Sequence, residues 1–267
     1  MPPLSRLDHV IIAVKSLDAA AATYRKLGFT LTPRGLHEGK GTGNHCIMFG
    51  STYIELLGIV DETGARGRLA ERVNARGEGG MGIAYGADDA DQTYAALRAA
   101  GIDAETPNDL SRPLDLDGKR DMVRFRNIML PKLALPETMQ FVCTHVTPEL
   151  TRARREWQLH PSGATGVAEI VIAADDVSAA NRERAAANLT NATITIAPRA
   201  DIESRFGAKA LAGAPKTGIV ALTIRVNEPD AAAAMLEMAK IPHHETRNGV
   251  IVPASAAHGV VIEFAES

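Results

Sequence analysis

A pattern of strand, helix and strand recurs four times along the chain and constrains its fold more than any other feature. Each copy starts with an apolar run typical of a strand, continues with an acidic residue and an Ala-rich helical segment, and returns to a strand. The copies start at Leu7, Gly80, Gly166 and Gly218. Such an internal repeat indicates that each copy is one supersecondary unit and that the chain is built from these units.

Further strands follow most of the copies. Residues 43–59 (GNHCIMFGSTYIELLGI) contain two β-rich runs joined at Gly50-Ser51, a pair suited to a two-residue hairpin turn. Similar runs follow the second copy (DMVRFRNIML and ETMQFVCTH) and the fourth (GVIVPA and GVVIEFAE). The unit is therefore β-α-β-β-β. The third copy is the weakest, because no clear strand pair follows its ATITIAP run.

The composition of the 267-residue chain excludes several classes of protein. Hydrophobic residues make up 45% and charged residues 23%, which is typical of globular proteins and excludes bulk disorder. The net charge of -3 predicts no nucleic-acid partner. No apolar run reaches the ~18 residues of a membrane helix, and no signal-peptide pattern is visible, so we predict a cytoplasmic protein without a membrane partner. The two cysteines, Cys46 and Cys143, are expected to be reduced core residues.

Four βαβββ units in two pairs resemble the architecture of the vicinal oxygen chelate superfamily, and the chain resembles its glyoxalase-like members. The resemblance rests on LDHVIIAVKSLDAA, NHCIMFGSTYIELL, RGEGGMGIAYGADDADQTYAALRAAGI and the linker HVTPEL…EWQLHPSGA. It covers about residues 6 to 175, and the last hundred residues match only as the generic unit. It implies an α+β fold in which four βαβββ modules form two open, U-shaped mixed β-sheet barrels with helices outside. We expect a glyoxalase-like domain at 1–145, a linker at 146–165 and a second, degenerate pair of modules at 166–267.

The resemblance also implies a site on the concave face of each pair, with metal ligands from the first and last strands of the two units. In the first half those strands offer His9, Glu55 and Gln140 as candidate ligands of a divalent metal such as Zn, Mn, Fe or Ni. The position where a second His or Glu is expected holds Gly79 or Gly80. For His9 the alternative is a polar residue that caps the end of a strand.

Strand alternation favours Glu55 as a residue of this site, because its neighbours Ile54 and Leu56 must face the other side of the sheet. A two-residue turn at Gly50-Ser51 pairs Cys46 with Glu55. In that register Asn44, Cys46 and Met48 line the site and His45 faces away. A longer turn would exchange these faces. A carboxylate beside Cys46 would raise the pKa of its thiol and make it a poor nucleophile.

Other residues are candidates for binding a substrate. Arg124 and Arg126 alternate with apolar residues, so they share one face of a strand and could capture a carboxylate or phosphate, although a solvated edge strand has the same pattern. Asn44 and the Gln140 amide could orient a ligand, and His160 in the linker could face the site. Arg112 could close over a ligand. The partner implied is a small molecule, including an anionic one.

The second half offers fewer candidates. Glu169 and about Ala221 correspond to His9, and Glu263 corresponds to Glu55. No His is available on its first strands, so we expect this half to be structural or to form a homodimer.

Two functions fit these residues. The first is a metal-dependent small-molecule enzyme with His9 and Glu55 as catalytic residues, in which Glu55, if displaced from the metal, could act as the base. An isomerase or lyase is favoured over a ring-cleaving dioxygenase, because iron-dependent ring cleavage requires two His and a carboxylate and one His is well placed. The alternative is a metal-free protein that binds small molecules or sequesters drugs, as bleomycin-resistance proteins do.

Overall fold

The computed structural model describes residues 4–37, 41–61, 68–131, 133, 135, 137–184 and 187–266. The first half of the chain forms one eight-stranded sheet. Its strands are β1 (Leu7–Ser16), β2 (Gly35–His37), β3 (Thr42–Met48), β4 (Tyr53–Ile59), β5 (Gly79–Ala87), β6 (Asn108–Leu116), β7 (Lys119–Met129) and β8 (Met139–His145). Three helices, α1 (Leu17–Lys26), α2 (Arg68–Arg76) and α3 (Ala90–Ala99), lie between them.

The order of this sheet, β2-β3-β4-β1-β5-β8-β7-β6, places the first strands of the two units side by side at its centre. β1 and β5 are antiparallel, and each is flanked on its other side by the last strand of its own unit in parallel orientation. The two edges of the sheet approach each other. A Cβ built on Gly35 of β2 would lie 2.9 Å from the guanidinium of Arg112 on β6, so the sheet curls into a nearly closed barrel.

The alternation of β1 decides which side chains enter this barrel. Val10, Ile12 and Val14 are buried in the main core together with Tyr24 of α1, so the helix covers the outer face. The intervening side chains, among them His9, face the concave side. α1 begins where Ser16 accepts a hydrogen bond from the Ala19 amide at 3.3 Å, which satisfies one of the free N–H groups of its first turn.

The linker between the halves contains α4 (Pro148–Thr151) and a short 3-10 helix (Arg155–Gln158). A six-stranded sheet of order β10-β9-β11-β14-β13-β12 follows. Its strands are β9 (Ala164–Ala173), β10 (Thr193–Ala197), β11 (Gly218–Val226), β12 (His244–Thr246), β13 (Gly249–Val252) and β14 (Val261–Ala265). Its helices are α5 (Val177–Arg184), α6 (Arg199–Phe206) and α7 (Pro229–Met238).

The predicted α+β architecture of paired βαβββ modules is confirmed, with one difference in the third module. After β10 the described chain continues into α6 and not into a strand pair. Ile202 and Phe206 of α6 pack on Val171 of β9 and Val261 of β14, and together they form a separate apolar cluster. The face of this sheet is therefore covered by a helix of its own half.

The two sheets meet where β5 passes β11. A Cβ at Gly80 would lie 2.4 Å from the Cβ of Ile219, closer than real atoms approach, so only glycine fits this crossing. The main apolar core contains residues of both halves, which therefore pack as one body. Among the described residues, no helix combines the length and the apolar character needed to cross a bilayer.

Candidate functional site

The concave face of the first sheet encloses a cavity of about 450 Å³. Its walls are mainly apolar, and side chains from both units contribute to them. Those walls include Met48, Leu57, Leu114, Phe125, Phe141 and Trp157. Cavities of this size and character are typical of small-molecule sites, in which a few polar groups fix the orientation of the ligand.

His9 lies on the floor of this cavity and is 3% exposed. Its ring stacks on Tyr53 with 4.3 Å between ring centroids. Its Nδ1 lies 2.7 Å from a carboxylate oxygen of Asp8, and its Nε2 lies 3.6 Å from Glu55 Oε2. Because an ionised carboxylate only accepts hydrogen bonds, His9 donates Nδ1–H to Asp8 and directs Nε2 towards Glu55.

Glu55 is the carboxylate of the cavity floor, and its side chain is 13% exposed. Asn44 donates a hydrogen bond of 2.7 Å from Nδ2 to Glu55 Oε1. The hairpin has the predicted two-residue turn, since Cys46 pairs with Glu55 and Phe49 donates its amide to the Thr52 carbonyl. Asn44, Cys46 and Met48 accordingly line the cavity, and His45 faces away, with Nδ1 2.7 Å from the Thr32 carbonyl.

Asp8 joins this site although strand alternation assigns it to the other face. The pairing of β1 with β5 shifts between Leu7 and His9, and such a bulge re-aims the side chain of the extra residue. Asp8 is 4% exposed and also accepts a hydrogen bond from His145 Nε2 at 3.1 Å. Burial favours its neutral form, but the hydrogen bonds from His145 and His9 hold the pKa of Asp8 well below its usual range. The sequence analysis did not identify Asp8 or His145 as residues of this site.

Neither thiol of the cavity is prepared for nucleophilic attack. Both cysteines are free and buried, as predicted. Burial, aided by the charge of Glu55, raises the pKa of Cys46 to about 12. Burial also raises the pKa of Cys143 well above its usual value, with the charges of Asp8 and Glu55 acting in the same direction. The chemistry of the site therefore rests on its carboxylates, imidazoles and amide.

Gln140 lies outside the cavity, contrary to the prediction. Its side chain accepts a hydrogen bond of 2.6 Å from the Tyr85 hydroxyl and donates one to the Leu133 carbonyl, on the helix-covered side of β8. Its neighbours on the strand, Met139 and Phe141, line the cavity instead. The predicted position is off by one residue, and in a strand one residue exchanges the two faces.

Arg124 and Arg126 also point away from the cavity. Arg126 forms an ion pair of 2.6 Å with Asp91 at the start of α3, and Arg124 is exposed. The residues of β7 that line the cavity are Phe125, Asn127 and Met129, which alternate with the two arginines and therefore lie on the opposite face of the strand. The arginine that does line it is Arg112, which the structure places on β6.

His160 does not reach the cavity either. Its Nδ1 accepts a hydrogen bond of 3.0 Å from the Thr30 amide, so its Nε2–H donates to the Met48 carbonyl at 2.9 Å. Burial lowers the pKa of His160, which keeps the ring neutral in this arrangement. His160 therefore fastens the linker to the first unit and is not available to a ligand.

A family model described as "Glyoxalase-like domain" matches residues 7–192, which include all of the cavity-lining strands. The chain belongs to this glyoxalase-like family. No curated protein is significantly similar in sequence to this chain.

One solved structure has the same fold over nearly the whole of this chain, and two others resemble part of it. A hypothetical protein from Staphylococcus aureus shares 12% identity over 98% of this chain and 99% of its own, with a TM-score of 0.67. Methylmalonyl-CoA epimerase from Streptomyces coelicolor shares 24% identity over 54% of this chain and 99% of its own, with a TM-score of 0.41. The corresponding Mycobacterium tuberculosis epimerase shares 21% identity over 52% and 87%, with a TM-score of 0.40.

Equivalent positions in the two units of this glyoxalase-like domain follow from their helix caps. Ser16 caps α1 as Asp89 caps α3, so each residue of β1 corresponds to the residue 73 positions later (89 minus 16). His9 therefore corresponds to Gly82, and not to the predicted Gly79 or Gly80. Glu55 lies beside Ile11, and the equivalent neighbour of Ala84 is Phe141. The second unit thus contributes a glycine and a phenylalanine where the first contributes His and Glu.

His9 and Glu55 fit two coordination positions of a divalent metal. Two ligands ~2.1 Å from one tetrahedral ion lie roughly 3.4 Å apart, close to the 3.6 Å between His9 Nε2 and Glu55 Oε2. The carboxylate of Asp8 on Nδ1 is the partner that metal-bound imidazoles commonly have. No His, Cys, Asp or Glu atom of the described residues completes a three-ligand group with this pair.

A second group could also hold a cation. Single ligand atoms of Asp8, Cys143 and His145 lie within 4.8 Å of one another. A metal there would have to displace the hydrogen bond between Asp8 and His145 and remove the proton of a thiol whose pKa is raised. The His9–Glu55 pair requires neither change, so it is the better candidate of the two.

In the second half, the positions that correspond to His9 and Glu55 hold carboxylates that are paired within the chain. Asp176 caps α5, which places Glu169 at the position of His9, and Glu263 lies beside Thr223 as Glu55 lies beside Ile11. Arg205 of α6 forms ion pairs of 2.7 Å with Glu169 and 2.8 Å with Glu263. The two carboxylates are thus neutralised from within the chain, under the helix that covers the sheet.

Proposed function

We propose that this protein is a small-molecule enzyme of the isomerase or lyase type, in which Glu55 removes a proton from a carbon next to a carbonyl group. The observation that carries the proposal is the arrangement of Glu55 on the floor of an apolar cavity, with Asn44 on one oxygen and His9 facing the other. A base must reach its substrate, and Glu55 faces the cavity directly. Asn44 fixes the orientation of the carboxylate before the substrate arrives.

The proton and electron balance of such a step is simple. Glu55 accepts the proton, and the C–H electron pair moves into the substrate as its carbonyl oxygen becomes an enolate. An isomerase returns a proton to a carbon, whereas a lyase expels a leaving group. His9 is the cavity-facing group next to Glu55, and Asp8 holds its ring in place, so His9 positions the oxygen on which charge develops.

We propose that His9 and Glu55 would be the protein ligands of a divalent metal such as Zn, Mn, Fe or Ni. Glu55 would act as the base when displaced from that metal, and His9 would then act on the substrate oxygen through the ion. When bound, such an ion would polarise the substrate oxygen and stabilise the enolate. One observation favours the alternative, a metal-free binding protein of the bleomycin-resistance type. The equivalent positions in the second unit are Gly82 and Phe141, and neither side chain can ligate a metal. The homodimer and the cytoplasmic location stay predictions.

Two measurements test the proposal. The first is elemental analysis of protein purified without chelators or metal-affinity columns, beside a His9→Ala, Glu55→Ala double variant. The second is NMR detection of hydrogen–deuterium exchange, in D2O, next to the carbonyl of a panel of 2-oxo and 3-oxo acids and esters. We expect Glu55→Gln to abolish exchange and Glu105→Gln, an exposed carboxylate outside the cavity, to leave it unchanged.

The outcomes separate the candidate functions. Metal that is lost in the double variant, together with exchange that depends on Glu55, supports the metal-dependent enzyme. Exchange that depends on Glu55 in metal-free protein supports the proton transfer and removes the metal. Saturable binding of panel compounds without exchange or metal contradicts the enzyme and supports the binding protein.

A further inference from the structure

Arg112 gives the cavity one permanent positive charge. It lies on β6 near the closing edge of the barrel and lines the cavity. A Cβ at Gly35 would lie 2.9 Å from its Nη1 and 2.3 Å from Asn44 Oδ1, so the guanidinium and the amide occupy neighbouring space. Asn44 in turn holds Glu55. The polar groups therefore form a row across a cavity whose walls are mainly apolar.

Within the part of the chain that the structure describes, no side chain forms a hydrogen bond or ion pair with Arg112. The contrast is Arg126, whose guanidinium is engaged by Asp91 and Asp109 on the other face of the sheet. The charge of Arg112 is felt inside the cavity, since it opposes the effects of burial and Glu55 on the pKa of Cys46. The N–H groups of this partly buried guanidinium have no anion to bind, and the planar guanidinium can donate two parallel hydrogen bonds to a carboxylate.

The remaining walls restrict what such an anion can be attached to. Phe125, Phe141, Met48 and Trp157 provide apolar and aromatic surface. Glu55 repels a second negative charge at the floor of the cavity. The ligand must therefore be negative at the Arg112 end, apolar along its length and uncharged where it meets Glu55.

We infer that the substrate is an apolar or aromatic monocarboxylate whose acid group is bound by Arg112. The inference rests on the proposed function, because it places the neutral, reacting end of that molecule at Glu55. It corrects the assignment of anion binding to Arg124 and Arg126. A phosphate monoester would carry up to two negative charges against a single guanidinium, so the carboxylate is the better match.

Trp157 provides the readout, since it is the only tryptophan of the chain and it lines the cavity. We would titrate the protein with 3-phenylpropionate, its neutral amide and 2-phenylethyl phosphate and follow tryptophan fluorescence. We expect the carboxylate to bind at least tenfold more tightly than the amide, and Arg112→Gln to abolish that preference. Arg98→Gln, on the exposed surface of α3, is the neutral control, and Arg124→Gln tests the earlier assignment.

The inference would be overturned by equal affinity for the carboxylate and the amide, by no saturable binding of either, or by tighter binding of the phosphate. It would also be overturned if the preference for the carboxylate were lost in Arg124→Gln and kept in Arg112→Gln. Glu55→Gln separates this inference from the proposed function. That variant should still bind the carboxylate, and bind it at least as tightly, because a negative charge has been removed from the cavity floor. Retained selectivity in a protein without proton exchange would refute the catalytic proposal alone.

Discussion

Replacing Asp8 with asparagine removes the charge that joins the two imidazoles beside the cavity floor. Asp8 accepts hydrogen bonds from His9 at 2.7 Å and from His145 at 3.1 Å, and it is almost fully buried. An asparagine side chain of the same shape keeps one acceptor oxygen and introduces two donors. Asp8 Oδ2 faces both rings, so an amide oxygen in its place would put the NH2 group where Oδ1 lies 3.1 Å from His145 Nε2, and a donor would then meet the N–H of that ring.

The size of the effect follows from these contacts. Hydrogen bonds to charged groups contribute about 1.5–3 kcal/mol each, and an unsatisfied buried polar group costs about 1–3 kcal/mol. The asparagine also removes the cost of burying a carboxylate, which offsets part of the loss. We expect the free energy of unfolding of Asp8→Asn to fall by about 2–4 kcal/mol at pH 7.

The loss should depend on pH in one direction. The native pKa of Asp8 is well below that of an unfolded aspartate, so the native state favours the ionised form. The stabilisation is fully present above the unfolded pKa of about 3.9 and is lost as pH falls towards the native pKa. The difference between wild type and Asp8→Asn should therefore shrink below about pH 4.

Urea unfolding followed by circular dichroism at pH 7 and at pH 3 to 4 would measure both effects. Asp88→Asn is the matched control, because Asp88 is exposed and forms a surface ion pair with Arg6, worth at most about 1 kcal/mol. If Asp8→Asn costs no more than Asp88→Asn at pH 7, or if the difference grows as pH falls, the account of this network is wrong.

Three further substitutions test the packing around the site. Arg205→Gln leaves the two carboxylates that it bridges without a cation. Because the Arg205 side chain is 39% exposed, water screens part of the effect, and the free energy of unfolding should fall by about 1–3 kcal/mol at pH 7 and by less at pH 4 to 5, where carboxylates accept protons; an equal loss at both pH values in thermal unfolding would contradict this. Because burial lowers the native pKa of His160, wild-type stability should fall as pH drops below about 6.5, and His160→Gln should flatten that dependence in urea titrations. Gly80→Ala introduces a Cβ where the two sheets cross and should cost about 1–3 kcal/mol, whereas Gly50→Ala, with open space around it, should be near neutral in the same assay.

The sequence predicted the repeating units and one wall of the cavity, because both depend on local signals. Alternation placed Glu55, and the two-residue turn placed Asn44, Cys46 and Met48 beside it. These positions needed no information from distant parts of the chain, since the hairpin fixes its own register.

The other wall was predicted less well, for a physical reason in each case. The cavity-facing residues of β5 and β8 depend on where those strands begin, and an error of one residue exchanged Gln140 with Phe141. Counting back from the cap Asp89 would have identified Gly82. Asp8 reaches the site through a bulge, which no local pattern reveals. Arg112 belongs to β6, and the proline in the sequence of that strand is more typical of a loop, so the sequence did not predict a strand there.

Arg205 keeps the second groove occupied by a side chain of the protein itself. Its ion pairs hold two acidic side chains at positions that correspond to His9 and Glu55. Removal of the guanidinium would leave two neighbouring negative charges beneath α6. A ligand could reach the acids of the second groove only by displacing Arg205, whereas in the first groove Glu55 already faces the cavity.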